Sequence, residues 1–187
     1  MLVGSSHDLC RGPNQLDGQD RPAIADWSRE RPLRFWDPGR KLLLTVRRYQ
    51  YWQRRGGPFA TICCKVLVLR HRFWSVVTGA DIPLNSHIGG GLLIPHPNGI
   101  VIHPDAQIGV NCLLFQQVTI GSIEGGSAVP TISDHVDVGA GAKILGPVSI
   151  HSHARIGANA VITKDVEAGS TAFGFNQSKR PEGERQP

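Results

Sequence analysis

An aliphatic residue returns at every sixth position from Ile82 to Ile162, and this spacing constrains the fold more than any other feature. A helix face repeats every 3.6 residues and a strand face every 2, so neither alone produces this pattern. A short fixed repeat is typical of a solenoid, and a six-residue repeat is typical of a β-helix. The ladder consists of Ile82, Ile88, Ile94, Ile100, Ile102, Ile108, Leu114, Ile120, Ile132, Val138, Ile144, Ile150, Ile156 and Ile162.

The ladder is irregular at two places. It shifts by two residues between Ile100 and Ile102, beside the turn-rich segment 95–99, and it skips one rung within residues 121–131. We predict a tight turn containing His96 at the first place and a loop ejected from the coil at the second. Glycines next to the ladder are expected to permit tight corners; they are Gly89, Gly109, Gly121, Gly139 and Gly157.

The rest of the chain divides where its composition changes. Residues 1–40 are rich in Gly, Pro, Arg and Asp, and we predict an irregular or partly disordered segment. Residues 41–79 contain two helical patterns separated at Gly56. The repeat coil is assigned to residues 80–172 and a C-terminal tail to residues 173–187.

Charge and cysteine content argue against several classes of protein. The chain has 20 Lys and Arg against 15 Asp and Glu, but no recognition helix or aromatic-lined basic groove predicts nucleic-acid binding. The four cysteines have neither metal-ligand nor disulfide spacing, so no metal site is expected. The N-terminus lacks a charged head followed by an apolar core, and the longest apolar stretch is too short to span a bilayer. We therefore expect a cytoplasmic protein without a transmembrane segment.

Four segments of the repeat resemble the serine O-acetyltransferase-like branch of the hexapeptide-repeat acyltransferases. They read ADIPLNSHIGGGLLIPHPNGIVIHPDAQIG, FQQVTIG, VDVGAGAKILGPVSI and ARIGANAVITKDV. The resemblance implies a mainly β fold, a left-handed parallel β-helix preceded by a short α-helical region. It also implies an enzyme that transfers an acetyl group from acetyl-CoA directly to a hydroxyl. A homotrimer with its sites between subunits is implied as well.

The same resemblance implies the residues of the site. It assigns the general base to His96 and the carboxylate that orients this base to Asp81, fifteen residues upstream. Histidine suits the role because it changes charge near neutral pH and can remove the hydroxyl proton during attack on the thioester. The resemblance places acetyl-CoA along Gly121, Ala140, Gly141, Ala158, Thr163 and Lys164, with the lysine near its phosphates.

The resemblance is incomplete where the acceptor would bind. Pro95 precedes His96 where the family carries an aspartate for the serine amine, and Ala128-Val129 replaces the Arg-His pair that meets the carboxylate. Buried charges need partners, so we predict a neutral acceptor hydroxyl on a sugar or polysaccharide precursor. Serine O-acetylation is the alternative, and a shifted alignment that brings in His135 would restore it. A non-catalytic trimeric scaffold and an amino-sugar N-acetyltransferase are further alternatives.

Overall fold

The computed structural model describes residues 23–123 and 128–175, so parts of the predicted N-terminal segment, loop and tail lie outside the described residues. A 3₁₀ turn at Trp27–Glu30 precedes two helices, α1 (Pro38–Arg55) and α2 (Pro58–Thr78). Each helix has proline in its first turn, where the missing N–H is not needed, and a glycine directly after its end. α1 therefore begins at Pro38 rather than at residue 41.

Short strands in the described residues after α2 form three parallel four-stranded sheets, which are the faces of a left-handed β-helix. We call the sheet β2–β5–β8–β11 face 1, β1–β3–β6–β9 face 2, and β4–β7–β10–β12 face 3. The strands are β1 His87–Ile88, β2 Val101–Ile102, β3 Gln107–Ile108, β4 Leu113–Leu114, β5 Thr119–Gly121, β6 Thr131–Ile132, β7 Asp137–Val138, β8 Lys143–Leu145, β9 Ser149–Ile150, β10 Arg155–Ile156, β11 Val161–Ile162 and β12 Thr171–Ala172.

The ladder residues point into the coil, as predicted. On face 1 the inward side chains of Ile102, Ile120, Ile144 and Ile162 lie in register, and each is almost completely buried. Equivalent stacks line the other two faces and join them in one hydrophobic core. The six-residue period thus follows from a prism in which every third unit returns to the same face.

Each of the two predicted irregularities adds residues to one turn of the β-helix. A regular coil takes 18 residues, the separation of the paired residues Val101 and Thr119. Asp81 pairs with Val101 at a separation of 20, because the turn at 95–99 adds two residues. Thr119 pairs with Lys143 at a separation of 24, because the loop adds one complete six-residue unit.

A third irregularity, which the ladder did not predict, shortens the last coil. Val166 pairs with Ile150 at a separation of only 16 residues. Its side chain is 5 % exposed and takes the next inward position four residues after Ile162. The corner at 163–165 is therefore two residues shorter than a regular corner.

The glycines beside the ladder are not the residues in the left-handed backbone region. Gly89 and Gly139 do not occupy the left-handed backbone region; instead, a Cβ on either would lie 2.6 Å from a backbone atom of the next coil. These glycines permit close stacking of the coils. The left-handed positions of the coil are occupied by other residues: Gly91, Gly99, Asn111, Gln117, His135, Gly141, Gly146, His153, Asn159, Gly169 and Gly174.

The helices close the first end of the coil. Leu42 and Leu43 of α1 join the hydrophobic core of the coil and are fully buried. Arg47 donates hydrogen bonds to the Ile88 and Gly89 carbonyl oxygens, each at 2.6 Å, and pairs with the buried Glu30 carboxylate at 2.8 Å. α1 is thereby fixed at the first coil, beside the turn that contains His96.

Candidate active site

The corners that lead from face 3 to face 1 form one continuous edge, which we call the 3–1 edge. Backbone N–H groups of Gln117, Gly141 and Asn159 each donate to the corner one coil earlier, at 2.8–2.9 Å. This edge carries His96 in its first corner, Ala140 and Gly141 in its third and Ala158 in its fourth. Four of the residues predicted from the sequence therefore share one edge, although up to 62 positions separate them.

The turn that holds His96 is fixed from both sides while its side chain stays exposed. The Gly99 N–H donates to the Gly79 carbonyl oxygen at 2.9 Å, which ties the turn to the end of α2. At the start of α1, a Cβ on Gly39 would lie 2.9 Å from the Ile94 carbonyl oxygen, so the helix packs directly on this corner. An exposed imidazole on a rigid turn is accessible to a bound substrate.

Asp81 lies at the start of face 1, on the coil that precedes His96. Its N–H donates to the Ile100 carbonyl oxygen at 2.8 Å, and its own carbonyl accepts from the Ile102 N–H at 3.0 Å. Its side chain is exposed. Within residues 23–123 and 128–175, no hydrogen bond joins the Asp81 carboxylate to the His96 ring, so the orienting role of Asp81 stays a prediction.

The other predicted acetyl-CoA residues lie along the opposite edge of face 1. Gly121 ends β5, and Thr163 and Lys164 follow β11 in the shortened corner. A Cβ on Gly121 would have no atom within 4 Å, so the space beside it is open. Face 1 therefore separates two groups of predicted cofactor residues, one along each edge.

Lys143 lies on face 1 between these two edges and was not among the residues predicted from the sequence. Its Nζ donates to the Gln117 carbonyl oxygen at 2.7 Å and to Thr119 Oγ1 at 3.0 Å. These bonds hold a positive charge against the outer surface of face 1. The signal was present in the sequence, since Lys143 directly precedes the inward Ile144 and must point outwards on the same strand.

The edge between faces 2 and 3 carries other reactive side chains. His135 and His153 stack there, with ring centroids 4.8 Å apart and an interplanar angle of 4°. His135 is therefore on a different edge from His96, and within one chain it does not replace the missing loop histidine. Burial raises the pKa of the Cys112 thiol on this edge to about 11, so the thiol stays protonated.

The described ranges contain no group of three or more His, Cys, Asp or Glu side chains arranged to hold a metal ion. Neither α1 nor α2 is long and apolar enough to cross a bilayer, and no other helix in the described part of the chain is.

Comparisons with known proteins agree with the architecture. Residues 130–164 match the family model described as bacterial transferase hexapeptide (six repeats). Serine acetyltransferase from Mycobacterium tuberculosis is 40% identical over 104 residues, which are 54% of this chain and 45% of that protein. The chain spans about half the length of the curated relatives that it matches.

Solved structures that resemble this chain are also serine acetyltransferases. Serine acetyltransferase from Neisseria gonorrhoeae, solved in complex with serine, superposes with a TM-score of 0.63 at 31% identity and covers 77% of this chain and 57% of its own. A serine acetyltransferase in complex with CoA has a TM-score of 0.62 at 28% identity, covering 75% of this chain and 56% of its own. The similarity includes the coil and extends beyond the residues matched by the family model.

Proposed function

We propose that this chain, a serine acetyltransferase-like member of the hexapeptide-repeat acyltransferases, transfers an acetyl group from acetyl-CoA to an acceptor hydroxyl. The observation that carries this proposal is the 3–1 edge. It presents an exposed histidine on a rigid turn, followed along the edge by the small residues Ala140, Gly141 and Ala158. Small residues leave room for an extended pantetheine arm along the coil.

In this reaction His96 accepts the proton of the acceptor hydroxyl as its oxygen attacks the thioester carbonyl. The C–O bond forms, the C–S bond breaks, and the imidazolium returns the proton to the departing CoA sulfur. Asp81 would orient the ring and stabilise its charge once acetyl-CoA and acceptor are bound. Hydrogen-bond geometry at a catalytic base often tightens only in the substrate complex.

Acetyl-CoA would bind across face 1. The pantetheine arm would follow the 3–1 edge, and Thr163 and Lys164 would meet the nucleotide end. Lys143 adds a fixed positive charge between them, 2.7 Å from the Gln117 carbonyl oxygen. Cations in this position favour a ligand that carries phosphate groups.

The comparisons favour serine as the acceptor over the sugar or polysaccharide precursor that we predicted from the sequence. The similar curated proteins are serine acetyltransferases, and one similar structure contains serine. The comparisons give no support to a role in polysaccharide synthesis. A neutral sugar hydroxyl is kept as a second candidate on one specific observation: Pro95 and Val129 provide no charge for a zwitterion.

CoA release measured with purified protein, acetyl-CoA and either L-serine or a panel of sugars tests the activity. We expect His96→Ala to lower kcat/KM by 10²- to 10⁴-fold, whereas His151→Ala, an exposed histidine on another edge, should leave it unchanged. Full activity in His96→Ala would refute the proposed base. No CoA release with either acceptor class would refute the transferase function for these substrates.

Acceptor identity is tested by restoring one charge. If serine is accepted only weakly because its amine lacks a partner, Pro95→Asp should raise kcat/KM for L-serine about tenfold or more. It should not raise the value for a sugar. No gain in a folded Pro95→Asp variant would contradict the idea that position 95 limits serine binding.

We also propose that the chain forms a homotrimer with its sites between subunits. The support is similarity to the hexapeptide-repeat acyltransferases and the flat outer faces of the coil. Light scattering on the purified chain measures the mass directly, and a monomer with full transferase activity would rule out a shared site.

A further inference from the structure

One face of α2 carries a regular apolar stripe, which we call the α2 seam. Its six side chains are each more than half exposed; they are Phe59, Ile62, Val66, Leu69, Phe73 and Val76. Their spacings alternate between three and four residues, so they form one straight stripe along the helix. Single exposed apolar residues are ordinary, but a continuous stripe along a 21-residue helix is typical of an interaction surface.

Cations border the α2 seam on both sides. Helical spacing places Lys65 and Arg72 along one side and Arg70 along the other. Residues 38–80, which contain both helices, have nine Lys or Arg and no Asp or Glu. The surface therefore combines an apolar stripe with unopposed positive charge from its own helices.

A second copy of the chain is a poor occupant for this surface. Two α2 seams packed together would bring Lys65, Arg70 and Arg72 near the same cations of the other copy, and like charges at these positions destabilise helix pairs. The coil of a second copy has little exposed apolar surface on which the α2 seam could pack. Among its described residues, the exposed large hydrophobic side chains are the scattered set Val101, Ile123, Phe173 and Phe175.

We propose that the α2 seam docks on an anionic phospholipid surface. An amphipathic helix with cations beside its apolar stripe lies in the bilayer interface, with its apolar side in the acyl boundary and its cations near lipid phosphates. The tip of the helix pair fits the same environment. There Arg55 lies 6.0 Å from the ring centroids of Tyr51 and Trp52, and aromatic side chains with nearby cations are typical of the membrane interface.

Vesicle flotation with the full chain tests this proposal, which does not depend on the transferase activity. We expect the protein to float with phosphatidylcholine vesicles containing phosphatidylglycerol, and not with phosphatidylcholine alone. Binding should weaken as salt is raised. Leu69→Asp places a carboxylate in the seam and removes an exposed apolar group, so the partition coefficient should fall at least tenfold.

Thr61→Asp is the matched control. It adds the same charge to the same helix at an exposed position off the seam, and it should weaken binding by no more than about fivefold. Circular dichroism verifies that both variants stay folded.

Three results would overturn the proposal. The first is no flotation, or equal flotation, with the two vesicle types. The second is binding that survives Leu69→Asp, because the seam would then not be the docking element. The third is that the parent protein does not bind vesicles and that Leu69→Asp has a different oligomeric state from the parent. This result would identify a second copy as the occupant of the seam.

Discussion

Truncating one rung of the ladder measures how much each inward aliphatic contributes to the coil. Ile132 is 2 % exposed and lies on face 2 between Ile108 and Ile150. Replacement by alanine removes three carbon atoms, each worth about 0.8 kcal/mol of transfer free energy. The cavity left in a closely packed prism adds to this, so Ile132→Ala should lower the free energy of unfolding by about 3–4 kcal/mol. Whole domains are stable by only about 5–15 kcal/mol, so the loss is large.

Guanidinium unfolding followed by circular dichroism measures this loss. Parent and variant are compared at one protein concentration, because self-association makes apparent stability concentration-dependent. Thr131→Ala is the control, since this neighbouring side chain on the same strand is exposed. It should change the free energy of unfolding by about 0.5 kcal/mol or less. A loss below about 1 kcal/mol in Ile132→Ala, or equal losses in both variants, would refute the packed-prism argument.

Three further predictions follow from close contacts and burial. Gly139→Ala should lower the free energy of unfolding by about 1–3 kcal/mol, because the new Cβ would lie 2.6 Å from the Ala158 backbone nitrogen. Gly121→Ala is the control: its Cβ would have no atom within 4 Å, so its melting temperature should equal that of the parent. Arg47→Met should lower the free energy of unfolding by about 3 kcal/mol, because it leaves the buried Glu30 carboxylate without its cation. An unchanged midpoint of guanidinium unfolding would contradict this. Burial raises the pKa of Cys112 from 9.0 to about 11, so mass mapping after maleimide treatment at about pH 8 should find it unmodified until the protein unfolds. Since the folded value is the higher one, the stability contributed by this thiol should be lost as pH rises from about 9 to 11.

The ladder predicted the coil because, in a β-helix, a side chain that is buried inside must also lie in register with the buried side chain of the next turn. An aliphatic at Ile120 must face inwards, and the residue one coil later, Ile144, must then lie beside it. Turn residues at 95–99 also predicted where the coil would widen. The short last corner was missed because its signal is a single residue, Val166, two positions earlier than the six-residue spacing requires.

The assignment of site residues to one edge depended on the prediction that the skipped rung is a loop outside the coil. A skipped rung can either stay in the coil or leave it, and the two choices assign Ile132 to different faces. The structure places Ile132 beside Ile108 on face 2, which brings Ala140 to the same edge as His96. The six-residue spacing alone does not distinguish the two choices, and the turn-rich residues 121–131 favoured a loop.

Contacts between distant segments were also beyond sequence reasoning. Asn111 donates to the Ile24 carbonyl oxygen at 2.8 Å and accepts from the Asp26 N–H at 2.7 Å. These bonds fasten part of the segment predicted to be irregular onto the coil. Nothing local marks such a pair, because the partners are 85 or more positions apart.

The loop after Gly121 has a consequence for how this protein can change over evolution. Ten positions separate Gly121 from Thr131, yet β5 pairs with β8 and β3 pairs with β6. Lengthening such a loop costs little, since doubling its length adds only about 0.6 kcal/mol of closure entropy. The segment expected to contact the acceptor can therefore be exchanged while the core of the coil stays the same. Under the proposed function, we expect that a loop grafted here would change the acceptor specificity without repacking a single inward aliphatic.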